Sequence, residues 1–525
     1  MNHQESQEPK DLPQTPEAQT PVARRNFIKG LVVSAAMVPA IPGFASTLKV
    51  SSDDELNWMP GWKVREMMVN KQLSPTEVAL HFLKRIEKLD PLLHAYITVD
   101  EQYTLKEAQM AEKAIMRGEA LGPLHGLPIP IKDLYMTKGM RTTRGCMVFK
   151  DNIPQVDELL VERLRKAGAV ILGKSQTSEF ASFPRTKTLL AGECRNPWNT
   201  NHITGASSGG SGAAVAAGMS PYAIGSDGGG STRIPAAYNG VVGFQPSAGR
   251  IPAREPHSVQ MASAGPMTID VRDSALIIQA LSGMDPRDPS AIERPAPDFL
   301  GHLHDGVKGL RIAWSKDWGH AKLDVDPRVS QAVAKAVHRF EDAGARVDNP
   351  TIVLDEDKAW EVFMTVNRFA YDRHGHFTDE QFQQLTPPNQ HMLTQFSKMG
   401  KVNFEQQMAA MEKRADLQRW IDNIFAKHDL ICTPTMGLVA PKVPEGEWDQ
   451  PYTDSHYATR MGTPYTYICN VLGLPAISVP CGFIDGLPIG LQIIGPRFAD
   501  TRVMAAAQTF SEIQPWMNKH PEMFL

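Results

Sequence analysis

The sequence predicts an α/β protein, with a mixed or parallel sheet covered by helices. Two observations carry that expectation. Amphipathic helical stretches alternate with short apolar runs in the first 175 residues, the pattern that builds sheets with helical crossovers. Later in the chain, short apolar runs return after a long helical stretch, so one sheet is expected to take strands from both ends of the sequence.

In order, Ser74-Pro75-Thr76-Glu77 reads as a helix start, with Ser74 as N-cap and an acid three residues on. Val78, Leu80, Phe82, Leu83 and Ile86 then fall on one helical stripe. A second helix is expected over 101–117. Gly126 to Lys132 reads as a strand whose last residue is a lysine. Residues 157–167 read as a helix, and Ala169 to Leu172 as a buried strand ending at Gly173. Leu310 to Trp314 is an expected strand, with a helix near 327–344. Residues 356–426 read as several helices. Strands return at Leu430 to Pro434, Ala476 to Val479 and Ile489 to Ile494. The expectation is one large domain over 46–525 with a helical subregion at about 345–425.

The first 45 residues read as an address. Residues 1–23 are polar, and Ala23-Arg24-Arg25-Asn26-Phe27-Ile28-Lys29 precedes an apolar run from Gly30 to Ala45 broken by Pro39 and Pro42. That run is too short for a bilayer, which needs about 20 apolar residues. Gly43-Phe44-Ala45 offers a small-residue cleavage site. The paired arginines, with an aromatic, an aliphatic and a lysine after them, resemble a bacterial twin-arginine export signal. The resemblance implies handling by the twin-arginine translocation machinery and a periplasmic or secreted product, with no stable membrane insertion after cleavage.

Composition excludes several classes. The chain has 525 residues, 54 Lys and Arg against 58 Asp and Glu, and a net charge of −4. A nucleic-acid binder would show a basic stripe or a high pI; none is present. Five cysteines, Cys146, Cys194, Cys432, Cys469 and Cys481, lack the spacing of a zinc site, so no metal and no cofactor is expected. An odd number argues against a full disulfide framework. A chain exported already folded would have formed in a reducing compartment, which suits free buried thiols.

The chemistry concentrates between Gly205 and Ala236. Nine of the 40 glycines lie between Gly205 and Ser231. Glycine lets backbone N–H groups approach a ligand closely, and a helix beginning near Ala213 would aim its N-terminus at the site. A phosphate-binding loop would need Lys after the second glycine, but Gly210 is followed by Ser211. Gly205-Ala-Ser207-Ser-Gly209 fits a nucleophile elbow, but a loop, not a strand, precedes it. A flexible linker would not carry Asp227, Arg233 and Pro235 among apolar neighbours.

The segment resembles the signature of the amidase signature family, through its paired serines, Asp227, Gly229, Ser231, Arg233 and Pro235. Thr232 departs from the aliphatic residue usual there. Further blocks come in the family's order: Gly126 to Asp133, Gly173 to Phe180, Asn196 to Asn199, Gly265 to Thr268, Asp285 to Pro289, Thr433 to Thr435, Gly473 to Ala476 and Gly486 to Gln492. The resemblance spans about residues 55–515 and is weakest over 345–425. It implies a large mixed sheet covered by helices on both faces.

It also implies a catalytic set of Lys132, Ser207 and Ser231, with a cis Ala206–Ser207 peptide bond. Ser231 would attack an amide carbonyl, Ser207 would relay the proton and Lys132 would be the base. The N–H groups of Gly228, Gly229, Gly230 and Ser231 would form an oxyanion hole. Ser208, Ser226, Asp227 and Arg233 would support that loop. Independent chemistry agrees on one point: lysine is a base only when neutral, and burial at a strand end lowers its pKa. The expected activity is hydrolysis of small-molecule carboxamides, linear or cyclic. The alternatives are an amidotransferase-like subunit, an inactive binding protein on the same fold, or an α/β-hydrolase esterase.

Overall fold

A computed structural model describes residues 53–254, 261–319, 325–374, 377–444, 448 and 464–524. The twin-arginine motif and the cleavage site lie outside the described residues. Those described belong to one compact unit, Ala45–Leu525.

The strands, in chain order, are β1 Tyr96–Thr98, β2 Pro128–Lys132, β3 Val170–Ser175, β4 Lys187–Thr188, β5 Gly192–Glu193, β6 Tyr222–Asp227, β7 Val242–Gln245, β8 Ser263–Thr268, β9 Arg311–Trp314, β10 Arg346–Asp348, β11 Leu430–Pro434, β12 Ala476–Ile484 and β13 Leu487–Ile494. Apart from the β4–β5 ribbon they form one eleven-stranded sheet, ordered β1-β3-β2-β6-β8-β7-β12-β13-β11-β9-β10. The sheet is mixed. β3, β2 and β6 run parallel, as do β10, β9 and β11, and the strands between are antiparallel. This is the expected large mixed sheet with covering helices.

The helices are α1 Gly61–Val69, α2 Pro75–Leu93, α3 Glu101–Met116, α4 Leu159–Lys166, α5 Gly209–Ala216, α6 Arg233–Asn239, α7 Val271–Leu281, α8 Pro327–His338, α9 Glu356–His374, α10 Asp379–Gln383, α11 Pro387–Met399, α12 Phe404–Phe425, α13 Pro464–Leu472 and α14 Asp500–Ile513. The capping box opening α2 is formed: Glu77 N donates to Ser74 Oγ (3.1 Å) and Ser74 N to Glu77 Oε2 (2.8 Å).

Three local departures from expectation bear on the site. β2 is a central strand that carries Pro128 and Pro130, which cannot donate to a ladder. The register accommodates them by a shift between Ile129 and Pro130, after which Lys132 pairs with Ser175. β3 continues two residues past Gly173. A Cβ there would stand 2.6 Å from Thr98 O, so the glycine permits a close crossing and does not end the strand. Helix α5 begins at Gly209, four residues before Ala213. Its first glycines serve packing, because a Cβ on Gly210 would lie 2.4 Å from both Ala95 O and Gln176 N.

The helical subregion shares a core with the sheet. Val362, Val366, Leu417 and Ile421 are buried with Tyr465, Ile468, Ile431 and Ile494. Glu179 ties it down at the other end. Its carboxylate, 2% exposed, accepts from Thr386 N (2.9 Å), Thr386 Oγ1 (2.6 Å) and Asn389 Nδ2 (2.5 Å) at the start of α11.

Candidate active site

Three chain segments meet at the C-terminal ends of the parallel strands β2 and β6. β2 delivers Lys132, the loop before α5 delivers Ser207 and Ser208, and β6 with its following loop delivers Ser226 to Ser231. The Ala206–Ser207 peptide bond is cis.

Lys132 is wholly buried. Its Nζ lies 2.7 Å from Ser207 Oγ, 2.8 Å from Ser208 Oγ and 2.8 Å from Ser226 Oγ. Burial pushes the ammonium well below its ordinary pKa, and the charge of Asp227, acting the other way, is outweighed. A neutral amine has two N–H donors and one lone pair, so three hydroxyls match its capacity. Ser208 Oγ is already committed as a donor to Ser226 O (3.2 Å). Of the two hydroxyls that remain, Ser207 belongs to the loop that is hydrogen-bonded to Ser231, so it is the one placed to pass a proton to the lysine lone pair. The sequence assigns Ser208 and Ser226 to support of the loop; the structure puts both in direct contact with the lysine.

Ser231 is partly exposed, whereas Ser207 is 1% exposed. Ser208 N donates to Ser231 O (3.2 Å), joining the two serine loops. Among the described residues no side-chain hydrogen bond joins Ser231 to Ser207. Hydrogen bonds of this kind often tighten only once substrate is bound.

Asp227 ends β6 and organises the glycine loop. Its carboxylate accepts from Gly230 N (2.7 Å), Thr232 N (3.1 Å), Asn470 Nδ2 (2.9 Å) and the Arg233 fork at Nε and Nη2 (3.0 Å each). Burial alone would raise its pKa, but the guanidinium and the hydrogen bonds hold it below the ordinary value. Arg233, also fully buried, reaches across the sheet to Thr466 O (3.0 Å), Gln492 Oε1 (2.6 Å) and Asn470 Oδ1 (2.8 Å). Thr466 Oγ1 donates to Gly229 O (2.8 Å).

The oxyanion expectation changes in one respect. The Gly230 N–H, expected to face substrate, is held by Asp227. The N–H groups of Gly228, Gly229 and Ser231 make no such bond among the described residues. Gly228, Gly229, Ser231 and Ser226 are partly exposed, while Lys132, Asp227 and Arg233 are buried. The mouth of the site therefore lies on the glycine loop.

Sequence reasoning did not find Thr466, Asn470 or Gln492. Asn470 left a trace: it is an uncharged polar residue inside the apolar helix α13, where an amide has no reason to sit unless something buried needs it. Among the described residues no three His, Cys, Asp or Glu side chains gather as a metal set.

A buried lysine in contact with serines, beside a glycine loop at the centre of a large mixed sheet, is the arrangement of an amidase signature enzyme. Residues 77–504 match the family described as Amidase, and the chain belongs to it. It is 32% identical, over 89% of its length and 99% of the relative's, to the glutamyl-tRNA(Gln) amidotransferase A subunit of Moorella thermoacetica. Among solved structures it is similar to a bacterial aryl acylamidase of the amidase signature family (29% identity, TM-score 0.80, 88% of this chain and 98% of that one). It is also similar to a 6-aminohexanoate cyclic dimer hydrolase complexed with substrate (25% identity, TM-score 0.80, 89% and 100%).

Proposed function

We propose that the protein is an exported amidase that hydrolyses small carboxamides through an acyl-serine intermediate. The observation that carries the reading is the buried lysine 2.7 Å from Ser207, held where the neutral amine is favoured. Ser231 Oγ attacks the carbonyl carbon and its proton passes through Ser207 to Lys132. The negative charge that forms on the carbonyl oxygen is met by the N–H groups of Gly228, Gly229 and Ser231; one such donor contributes about 3 kcal/mol. The C–N bond then breaks. Ser207 gives its proton to the leaving amine and is reprotonated by Lys132. Water, deprotonated along the same path, releases the acid.

The purified enzyme and Ser231→Ala should be compared on a panel of linear, aryl and cyclic amides. Turnover in wild type and none in the variant is expected. Absence of turnover together with absence of labelling by a serine-directed probe would refute the proposal and leave the binding-protein reading.

The similarity to amidotransferase A subunits supports a second reading, a glutamine-hydrolysing component that acts with partners. A glutamine kcat/KM exceeding that of every other amide tested would favour it. The resemblance of residues 23–45 to an export signal supports periplasmic placement by the twin-arginine machinery. Replacing Arg24 and Arg25 by Lys should hold the activity in the cytoplasm; unchanged periplasmic activity would refute export by that route.

A further inference from the structure

The open side of the serine cluster is faced by aromatic rings from the helical subregion. A Cβ built on Gly229 would meet Phe363 of α9 at 3.0 Å, so the ring lies against the loop that presents the free N–H groups. Phe363 stacks on Trp360 (5.5 Å) and packs on Tyr467 (5.2 Å), which also meets Trp360 edge-on (5.7 Å). Phe363 is itself only partly buried, like Gly228, Gly229 and Ser231. A second aromatic group stands past the other end of α9. Phe180 packs on Phe377 (5.8 Å) and Phe149 (6.2 Å). It lies two residues from Ser178, whose N–H points at Ser207 O (3.4 Å). Phe180 takes the left-handed conformation (φ 54°), uncommon for a bulky residue.

Given the amidase reading, the geometry also orients the substrate. The leaving nitrogen must face Ser207, the group that protonates it. The acyl substituent is then the part of the substrate left on the exposed side, where Phe363 stands beside the loop at the mouth of the site. A flat ring there can stack or meet Phe363 edge-on. A short polar chain would leave its polar atoms against carbon without partners.

We propose that Phe363 forms the wall of the acyl pocket and makes the enzyme selective for aryl acyl groups over short aliphatic or polar ones. This rests on the amidase reading above.

The test compares kcat/KM for the 4-nitroanilides of benzoic and acetic acid, which share a leaving group. Wild type is expected to favour the benzoyl substrate, although its carbonyl is intrinsically the less electrophilic. Phe363→Ala is expected to lower the benzoyl-to-acetyl ratio about 10-fold or more, and Phe363→Leu by less. The acetyl substrate reports the folded, competent fraction in each variant, so a folding defect cancels in the ratio. A preference of wild type for acetyl, or a ratio unmoved by Phe363→Ala, would overturn the proposal while leaving the amidase reading intact. Failure to cleave either anilide, with no amide hydrolysed in the wider panel, would remove both together.

Discussion

Replacing Arg233 by Met should expose how much of the site depends on one buried ion pair. The guanidinium donates to both Asp227 oxygens and to Thr466 O, Gln492 Oε1 and Asn470 Oδ1, all at 2.6–3.0 Å. Neither partner is exposed. Removing one member of a buried pair costs about 3–5 kcal/mol, because the other charge stays buried and uncompensated. Asp227 would keep Gly230 N, Thr232 N and Asn470 Nδ2, which argues against a larger loss.

The pH dependence has a defined sign. In wild type the folded carboxyl lies below its ordinary pKa. Its contribution is therefore present above the unfolded pKa, near 3.9, and is lost as pH falls through the folded value. Without Arg233, burial raises the folded pKa. The deficit against wild type should then be largest at pH 8 and narrow toward pH 5, as the carboxyl takes up a proton. Urea unfolding of wild type and Arg233→Met at both pH values measures this. Adding Asp227→Asn should recover part of the loss at pH 8. A deficit under about 1 kcal/mol, or one independent of pH, would refute the assignment of Asp227 as the charge that Arg233 holds.

Further outcomes are expected. Wild-type kcat/KM should rise with pH through the lowered lysine pKa and then level off. Lys132→Arg should be inactive from pH 6 to 9, because a guanidinium stays charged; a rising profile in that variant would exclude Lys132 as the base. Gly230→Ala would put a methyl 2.2 Å from Thr466 Oγ1 at φ +114°, and should cost about 100-fold in kcat/KM. Gly486→Ala, strained (φ +77°) but with nothing within 4 Å, should leave kcat/KM near wild type, and equal losses would show that Gly230 is not special. Glu179→Ala should lose about 1–3 kcal/mol and speed limited proteolysis within 377–425; unchanged cleavage there would deny its tethering role.

The sequence made the lysine, both serines and the glycine loop legible, because each lies in a short block whose chemistry is local. The start of α2 and the boundaries of α3, α4, β2, β9 and β11 also hold closely. Three central strands escaped that reading, among them Val242–Gln245, which is only four residues long. Tyr222–Asp227 and Ser263–Thr268 are rich in Gly, Ser and Ala, so neither alternation nor β-branched runs mark them. The partners of Arg233 escaped for another reason. Thr466, Asn470 and Gln492 stand 233 to 259 residues away in sequence, and only the assembled fold, with one helix and one strand from the C-terminal part of the chain, brings them near.

The way the helical subregion joins the sheet has a practical consequence. β10 and β11 lie on either side of β9, with Asp348 paired to Ala313 and Leu430 to Ile312. The chain therefore leaves and rejoins the sheet one residue apart in level and two strand spacings across, on the order of 10 Å. An exchange of residues 349–429 between relatives would meet the same pair of anchor points whatever its length or helix count. Chimaeras cut at these two strands could transplant the helical subregion as a cassette, provided the graft restores a partner for Glu179 at one end and an apolar seat for α13 at the other.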